Sequence, residues 1–383
     1  MKKLLSITLC VCLCFICSFY VCAEEDKTLE NSISAKSAVL IDLSSGNILF
    51  AKNENEQLPP ASITKIMTLL LVFESIENGT LSFDEPVTAS TNASKKGGSQ
   101  IWLKENETMT VHELIKATAI ASANDACTAL GEKIAGDEDA FVVMMNEKAK
   151  MLGLKNTHFE NCSGLDDTAT NHYSSALDIA IMSRELMKHE KVKSYTTVWM
   201  DSLRNGATQL VNTNKLIRFY KGATGLKTGT TSKAGYCISA TAERNGVKLC
   251  AVILGSDTSD HRFEDAKKLL NYGFANYSVF IPKIDNSLIT PVSVLYGKTN
   301  EIIPKVIPAN EILLTKGTET SVTQRVDLCI DVEAPVEKGQ VLGYIYYELD
   351  GKTVATSQIV CEEGVERKTF GYILHSLWSC FAV

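Results

Sequence analysis

In the stretch PASITKIMTLLLVFES, a serine is followed three residues later by a lysine, and the S-x-x-K spacing of Ser62 and Lys65 occurs once in the 383-residue chain. On a helix, residues i and i+3 face the same way. An amine would then stand beside a hydroxyl at a first turn, where backbone N–H groups lack intrahelical acceptors. A serine so placed has a base within reach and, in its own amide, a donor for a developing oxyanion. The bland alternative is a lysine whose stem lines a buried helix while its head reaches water. For the amine to take a proton its pKa must fall, through burial or through a second cation nearby.

Two tripeptides supply the remaining parts of such a site. K-T-G, residues 227 to 229, also occurs once and opens an expected strand. Lys227 is the candidate second cation, and Lys227 with Thr228 could hold a carboxylate. Gly229 would let a ligand backbone come close, and the amide of Thr230 could be a second oxyanion donor. Alone, the triplet reads better as a turn lysine and a strand glycine. S-A-N, residues 122 to 124, breaks an apolar helical run, whereas the same S-x-N pattern at Ser45 and Ser90 lies in a hairpin turn and a polar loop. Ser122 could pass a proton between Lys65 and a leaving group, and Asn124 could orient a bound amide.

Other chemistries lose on inspection. Gly297-Lys298-Thr299 and Gly351-Lys352-Thr353 imitate the end of a phosphate loop, but Val292 and Tyr346 stand where its first glycine belongs. His112-Glu113 begins like a zinc-protease helix, yet Lys116 occupies the second histidine position, and no G-x-S-x-G is present. A formal charge of −7, nearer −9 once Lys2 and Lys3 are removed with a leader, argues against a nucleic-acid footprint.

The elements that must position these residues follow from periodicity. SAVLIDLSSGNILFAKN predicts two strands around a Ser-Ser-Gly-Asn turn. After Pro59-Pro60 a helix is expected from Ala61 or Ser62 to Gly79, apolar nearly all round and therefore central to a core. Residues 110 to 190 carry helical spacing, with a capping box at Thr110 and Glu113. From residue 226 the period becomes two, with a turn at Asn245-Gly246, and RFEDAKKLLNYGFANY closes the region as a helix. Strands at both ends with helices between predict one α+β domain over 33–280. Short β-rich runs then predict a small all-β domain over 281–362.

The termini and cysteines bound the compartment. MKKLLSITLCVCLCFICSFYVCAEED has the layout of a signal peptide over 1–23, cut after Ala23, with a retained anchor as the alternative. Cys10, Cys12, Cys14 and Cys17 fall inside it, and the seven cysteines beyond Cys22 are scattered, which is no disulfide framework. Cys237 and Cys250 would stand about 13 Å apart along their hairpin, at roughly 3.3 Å per residue, too far to bridge. At the other end, Phe370, Ile373, Leu374, Leu377, Trp378 and Phe381 form one helical stripe over 363–383. That segment is too short and polar to span a bilayer. It suits a helix lying in a membrane interface or one packed on the protein's own surface.

S-x-x-K, then S-x-N, then K-T-G, in this order and at these separations, is the motif set of serine β-lactamases and penicillin-binding proteins. The chain resembles the D-alanyl-D-alanine carboxypeptidases, the low-molecular-mass penicillin-binding proteins. The resemblance runs through PASITKIMT, ASANDA, FENCSGLDD, HYSSALDIA, LKTGTTSKAGYCISATA and PVEKGQVLG to the amphipathic tail. It implies a β-lactamase/transpeptidase-like α+β domain and an exported enzyme at the outer face of the membrane that needs no metal or cofactor. Its substrates would be peptidoglycan stem peptides and its inhibitors β-lactam antibiotics. Ser62 would form the acyl-enzyme, Lys65 would be its base, Ser122 the proton shuttle and Lys227 the carboxylate anchor. One departure is informative: class A β-lactamases carry a deacylating glutamate in E-x-x-L-N, whereas here Glu160 is followed by Asn161-Cys162-Ser163-Gly164.

Overall fold

The computed structural model describes residues 28–381 apart from residue 168. The expected signal peptide lies outside the described residues. The chain divides into two compact units between Ala275 and Asn276.

The first unit is built on a five-stranded antiparallel sheet of order β2-β1-β5-β4-β3, made of β1 (Ser37–Asp42), β2 (Ile48–Lys52), β3 (Ala223–Thr231), β4 (Gly235–Arg244) and β5 (Val247–Ser256). The N-terminal hairpin therefore pairs with a strand some 200 residues later, Val39 opposite Val252 and Ile41 opposite Cys250. Every residue of β1 is buried because both faces of the sheet are covered. Val39 and Ile41 join the main helical core. Leu40 and Leu249 lie under Gly273 of α6 (Ser259–Asn276).

Five further helices of ten or more residues lie along the chain between β2 and β3: α1 (Lys65–Glu77), α2 (Val111–Ile120), α3 (Asn124–Ala135), α4 (Glu138–Met151) and α5 (Ala176–Met187). The Thr110–Glu113 capping box is formed, and α3 stops at Gly136 with φ 94°. Helix α1 is buried at every position from Lys65 to Phe73, and each buried large apolar side chain stabilises the fold by roughly 1.5–3 kcal/mol.

Its start differs from expectation. Ala61–Thr64 form a 3-10 turn and the α-helix begins at Lys65, ending at Glu77 rather than Gly79. The turn is set by Ala61, which holds φ at 48°, a left-handed conformation that does not continue a right-handed helix. Two short antiparallel strand pairs, Pro86–Thr88 with Thr108–Thr110 and Met200–Leu203 with Thr208–Val211, also escaped the periodicity because their strands are only three or four residues long.

In the second unit, Tyr277–Phe280 pair with Ile312–Thr315, so these four residues, expected in the first domain, belong to the second. A four-stranded antiparallel sheet runs Pro304–Ile307, Lys352–Cys361, Val341–Leu349, Thr323–Leu328. A three-stranded sheet includes a parallel pair, Val292–Leu295 with Asp331–Glu333. Their cores are small, one around Val292, Leu342 and Cys361 and one around Ile345, Tyr347 and Ile359. On the terminal helix Phe370–Phe381, Phe370, Ile373, Leu374, Leu377 and Trp378 are all exposed. The stripe is therefore not packed on this unit. None of the described helices is long and apolar enough to cross a membrane.

The six cysteines whose side chains are described are free. Cys250 faces Thr241, and Cys237 falls in the irregularity between the Tyr236–Ser256 and Ile238–Ile253 pairs, in keeping with the separation read from the hairpin.

Candidate active site

Lys65 is fully buried. Its Nζ lies 3.0 Å from Ser62 Oγ, 2.6 Å from Asn124 Oδ1 and 2.7 Å from the carbonyl oxygen of Ser163. Three acceptors saturate an ammonium, and they are not equivalent. Asn124 Oδ1 and the Ser163 carbonyl can only accept. When the amine is neutral, its two N–H groups stay on those oxygens and its lone pair faces Ser62, the one partner with a proton to give. Burial draws the Lys65 pKa from 10.5 down to about 8, against the opposing influence of Cys127, Cys162 and Asp125. A base with that value is neutral often enough to work near neutral pH.

Each partner is held by its own element. Ser62 sits in the 3-10 turn, whose Thr64 hydroxyl donates to the Ala61 carbonyl at 2.9 Å. Asn124 opens α3, its amide nitrogen donating to Ser99 O and its Nδ2 to Gly97 O, both at 2.7 Å. One Nδ2 hydrogen is left for a ligand. The next residue, Asp125, accepts from the backbone nitrogens of Ile101 and Leu103, which ties the 97–103 loop to the same helix start. Ser163 belongs to a loop closed by Asn161, whose Oδ1 accepts from the amides of Ser163 and Gly164. At Gly164, with φ 81°, a Cβ would fall 1.9 Å from Ala61 O, so only glycine fits.

Ser122 lies in the break between α2 and α3 with φ 62°, almost wholly buried. No hydrogen bond joins its side chain to Ser62 or Lys65; its link to them is through Asn124, two residues on. The strained conformation belongs to a position where a helix would otherwise continue.

The K-T-G strand is the edge strand β3, and it passes directly over Ser62. A methyl group on Gly229 would stand 2.8 Å from Pro60 O and 3.0 Å from the Ser62 amide nitrogen. Lys227 is buried, with Nζ 3.0 Å from the carbonyl of Thr228. Its pKa lies well below the ordinary lysine value, first through burial and then through Lys65 and Arg262. The two amines repel each other, and that repulsion adds to burial in lowering Lys227. Thr228 Oγ1 donates to Thr213 Oγ1 at 2.7 Å, and Thr230 Oγ1 lies 2.9 Å from Arg262 Nη1, which also donates to Gly229 O at 3.0 Å.

Arg262, buried on α6, had no motif to announce it; the only trace is an arginine in the first turns of a helix that must end against the sheet. The Ser163 carbonyl was invisible because a backbone acceptor carries no side-chain signal. Glu160 has its carboxylate on the amides of Thr170 and Asn171, at 2.8 and 2.9 Å, so it serves as a loop clasp. Among the described residues no cluster of histidine, cysteine or carboxylate groups could hold a metal ion.

Comparison with known proteins agrees in sequence and in three dimensions. Residues 23–258 match the peptidase family described as D-alanyl-D-alanine carboxypeptidase, and residues 282–367 match the C-terminal domain of penicillin-binding protein 5. The D-alanyl-D-alanine carboxypeptidase DacF of Bacillus subtilis (strain 168) is 40% identical over 97% of this chain and 96% of its own. The crystal structure of penicillin-binding protein 5 from Haemophilus influenzae is 33% identical, covering 88% of this chain and 98% of that one, with a TM-score of 0.74. Penicillin-binding protein D2 of Listeria monocytogenes, solved with ampicillin bound, is 34% identical, covering 63% of this chain and 98% of that one, with a TM-score of 0.58. With its S-x-x-K, S-x-N and K-T-G residues gathered on one edge of the sheet, the chain belongs to the D-alanyl-D-alanine carboxypeptidase family.

Proposed function

We propose that the protein is an exported serine DD-carboxypeptidase that removes the terminal D-alanine from peptidoglycan stem pentapeptides. The observation that carries this reading is the buried Lys65 amine, 3.0 Å from Ser62 Oγ and otherwise hydrogen-bonded only to pure acceptors. Neutral Lys65 takes the Ser62 proton as Oγ attacks the penultimate D-alanine carbonyl. The amides of Ser62 and Thr230 receive the oxyanion; the position of Gly229 against the Ser62 nitrogen supports that pairing.

Lys227 and Thr228, backed by Arg262, take the free carboxylate of the substrate, which distinguishes a carboxypeptidase substrate from an internal peptide bond. Ser122 hands the proton to the departing D-alanine amine, and Asn124 offers its remaining amide hydrogen to the stem peptide. Water then hydrolyses the ester with Lys65 as base.

Penicillins enter by the same route. With Glu160 engaged by two backbone amides, no E-x-x-L-N glutamate serves deacylation, which supports a long-lived penicilloyl ester. The exposed apolar stripe of the terminal helix supports attachment to a membrane surface. Protein truncated at residue 362 that still pellets with vesicles would defeat that part.

The deciding experiment incubates the protein with a pentapeptide ending in D-Ala-D-Ala beside a Ser62→Ala control. Serine-dependent release of D-alanine is expected, and its absence sinks the enzyme reading. A fluorescent penicillin that labels and clears within seconds would point to a β-lactamase instead.

A further inference from the structure

We propose that His172 is a positioning residue for the nucleophile's oxyanion donor, acting through Thr64 and the Ala61–Ser62 peptide; the inference rests on the serine-peptidase reading above. His172 lies in the loop between α4 and α5, at the head of HYSSALDIA and outside the S-x-x-K, S-x-N and K-T-G motifs. Its Nδ1 accepts from the Glu160 amide at 3.0 Å, and its Nε2 is 2.8 Å from Thr64 Oγ1. The single hydroxyl hydrogen of Thr64 is already donated to Ala61 O. Thr64 must therefore accept from His172, and one neutral tautomer, with hydrogen on Nε2, satisfies both ends.

The chain continues through a covalent unit. Ala61 C=O and Ser62 N–H belong to one peptide plane, and in a trans peptide they point in opposite directions. Holding the carbonyl toward Thr64 aims the Ser62 N–H the other way, where β3 passes at Gly229. The donors run head to tail: Glu160 N–H to His172, His172 to Thr64, Thr64 to Ala61, and the Ser62 N–H outward. Aligned hydrogen bonds polarise one another, so the relay both orients the donor and strengthens it.

The peptide needs such holding because Ala61 has φ 48° without being glycine, a conformation that persists only when its surroundings fix it. The loop bearing His172 is itself braced. His158 and Tyr173 exchange backbone hydrogen bonds, Glu160 clasps Thr170 and Asn171, and Lys233 Nζ reaches Asp166 O at 2.9 Å. Burial pushes the His172 pKa down to about 4, which keeps the imidazole in the neutral form the relay requires.

The test measures kcat and KM for D-alanine release, with the rate of penicillin acylation, in wild type, His172→Ala, His172→Gln, Thr64→Val and Thr64→Ser. The expected result is a fall in kcat on the order of 10²-fold for His172→Ala and Thr64→Val, the scale on which one oxyanion donor acts. KM stays unchanged, because the donor works only in the transition state. Glutamine can accept and donate at the two ends, so His172→Gln recovers most of the loss, as does Thr64→Ser.

The Thr64→Val/His172→Ala double variant falls no further than Thr64→Val alone, as expected of two links in one chain. Should His172→Ala not fold, the Thr64→Val and Thr64→Ser pair decides. Wild-type kcat in Thr64→Val or His172→Ala, a loss appearing in KM instead, or glutamine no better than alanine in folded protein overturns the relay. A wild type that neither releases D-alanine nor acylates overturns the enzyme reading itself, a distinct outcome.

Discussion

The two units bury different things. Around α1 the first unit encloses Lys65, Lys227, Asp125 and Arg262 together with many hydroxyl and amide side chains, while the second buries one polar side chain among its described residues, Ser357. Unpaired, a buried charge costs several kcal/mol. The first unit offsets that cost with acceptors drawn from separate segments, and its buried amine comes out with a lowered pKa. The second unit, with its small cores, has no such device among its described residues. Part of the first unit's buried charge stands at the site, while Asp42, Asp178 and Asp265 brace backbone elsewhere in it; the small β unit follows packing rules alone.

The comparison can be broken from either side. The largest effect belongs to Lys65→Arg, which keeps the charge but cannot readily deprotonate: penicillin acylation should fall by roughly 10³-fold or more, the scale of a lost general base. Gly229→Ala places a methyl within 3.0 Å of two backbone atoms of the nucleophile turn. It should slow acylation on the order of tenfold or more without lowering thermal stability as a core cavity would.

His172 makes a smaller, pH-dependent contribution. Its folded pKa of about 4 lies below the ordinary 6.5. The stability it contributes is present above 6.5 and is lost as pH falls through 4, because the unfolded chain binds the proton first. Denaturant titrations should show that acid slope flattened in His172→Gln. The smallest effect on chemistry is expected in the second unit. Ile345→Ala should cost roughly 2–5 kcal/mol of that unit's stability and leave acylation at 25 °C unaltered; a slowed rate would contradict the division of roles.

How much of this the sequence carried depends on what kind of group does the work. Ser62, Lys65, Ser122, Asn124 and Lys227 could be picked out because their side chains and spacing are chemical statements. The buried α1 could be read from apolar residues on all its faces. The 3-10 turn could not, since it depends on Ala61 meeting Thr64 and Gly164, contacts fixed only when residues a hundred apart come together. Ser163 contributes a carbonyl that any residue would supply. Arg262 and His172 act through partners 32 and 108 residues away, separations no local pattern encodes. The register of Tyr277–Phe280 with Ile312–Thr315, which moves the boundary between the units to Asn276, is likewise a pairing rather than a composition.

The central claim is that burial turns Lys65 into the base that activates Ser62. The most direct measurement is the pH dependence of the acylation rate of wild-type protein by a fluorescent penicillin, from pH 6 to 10. The account predicts a rate that rises with pH and levels off with an apparent pKa of about 8, as Lys65 loses its proton. A rate that is flat across this range, or still climbing at the value of an ordinary lysine, would contradict it.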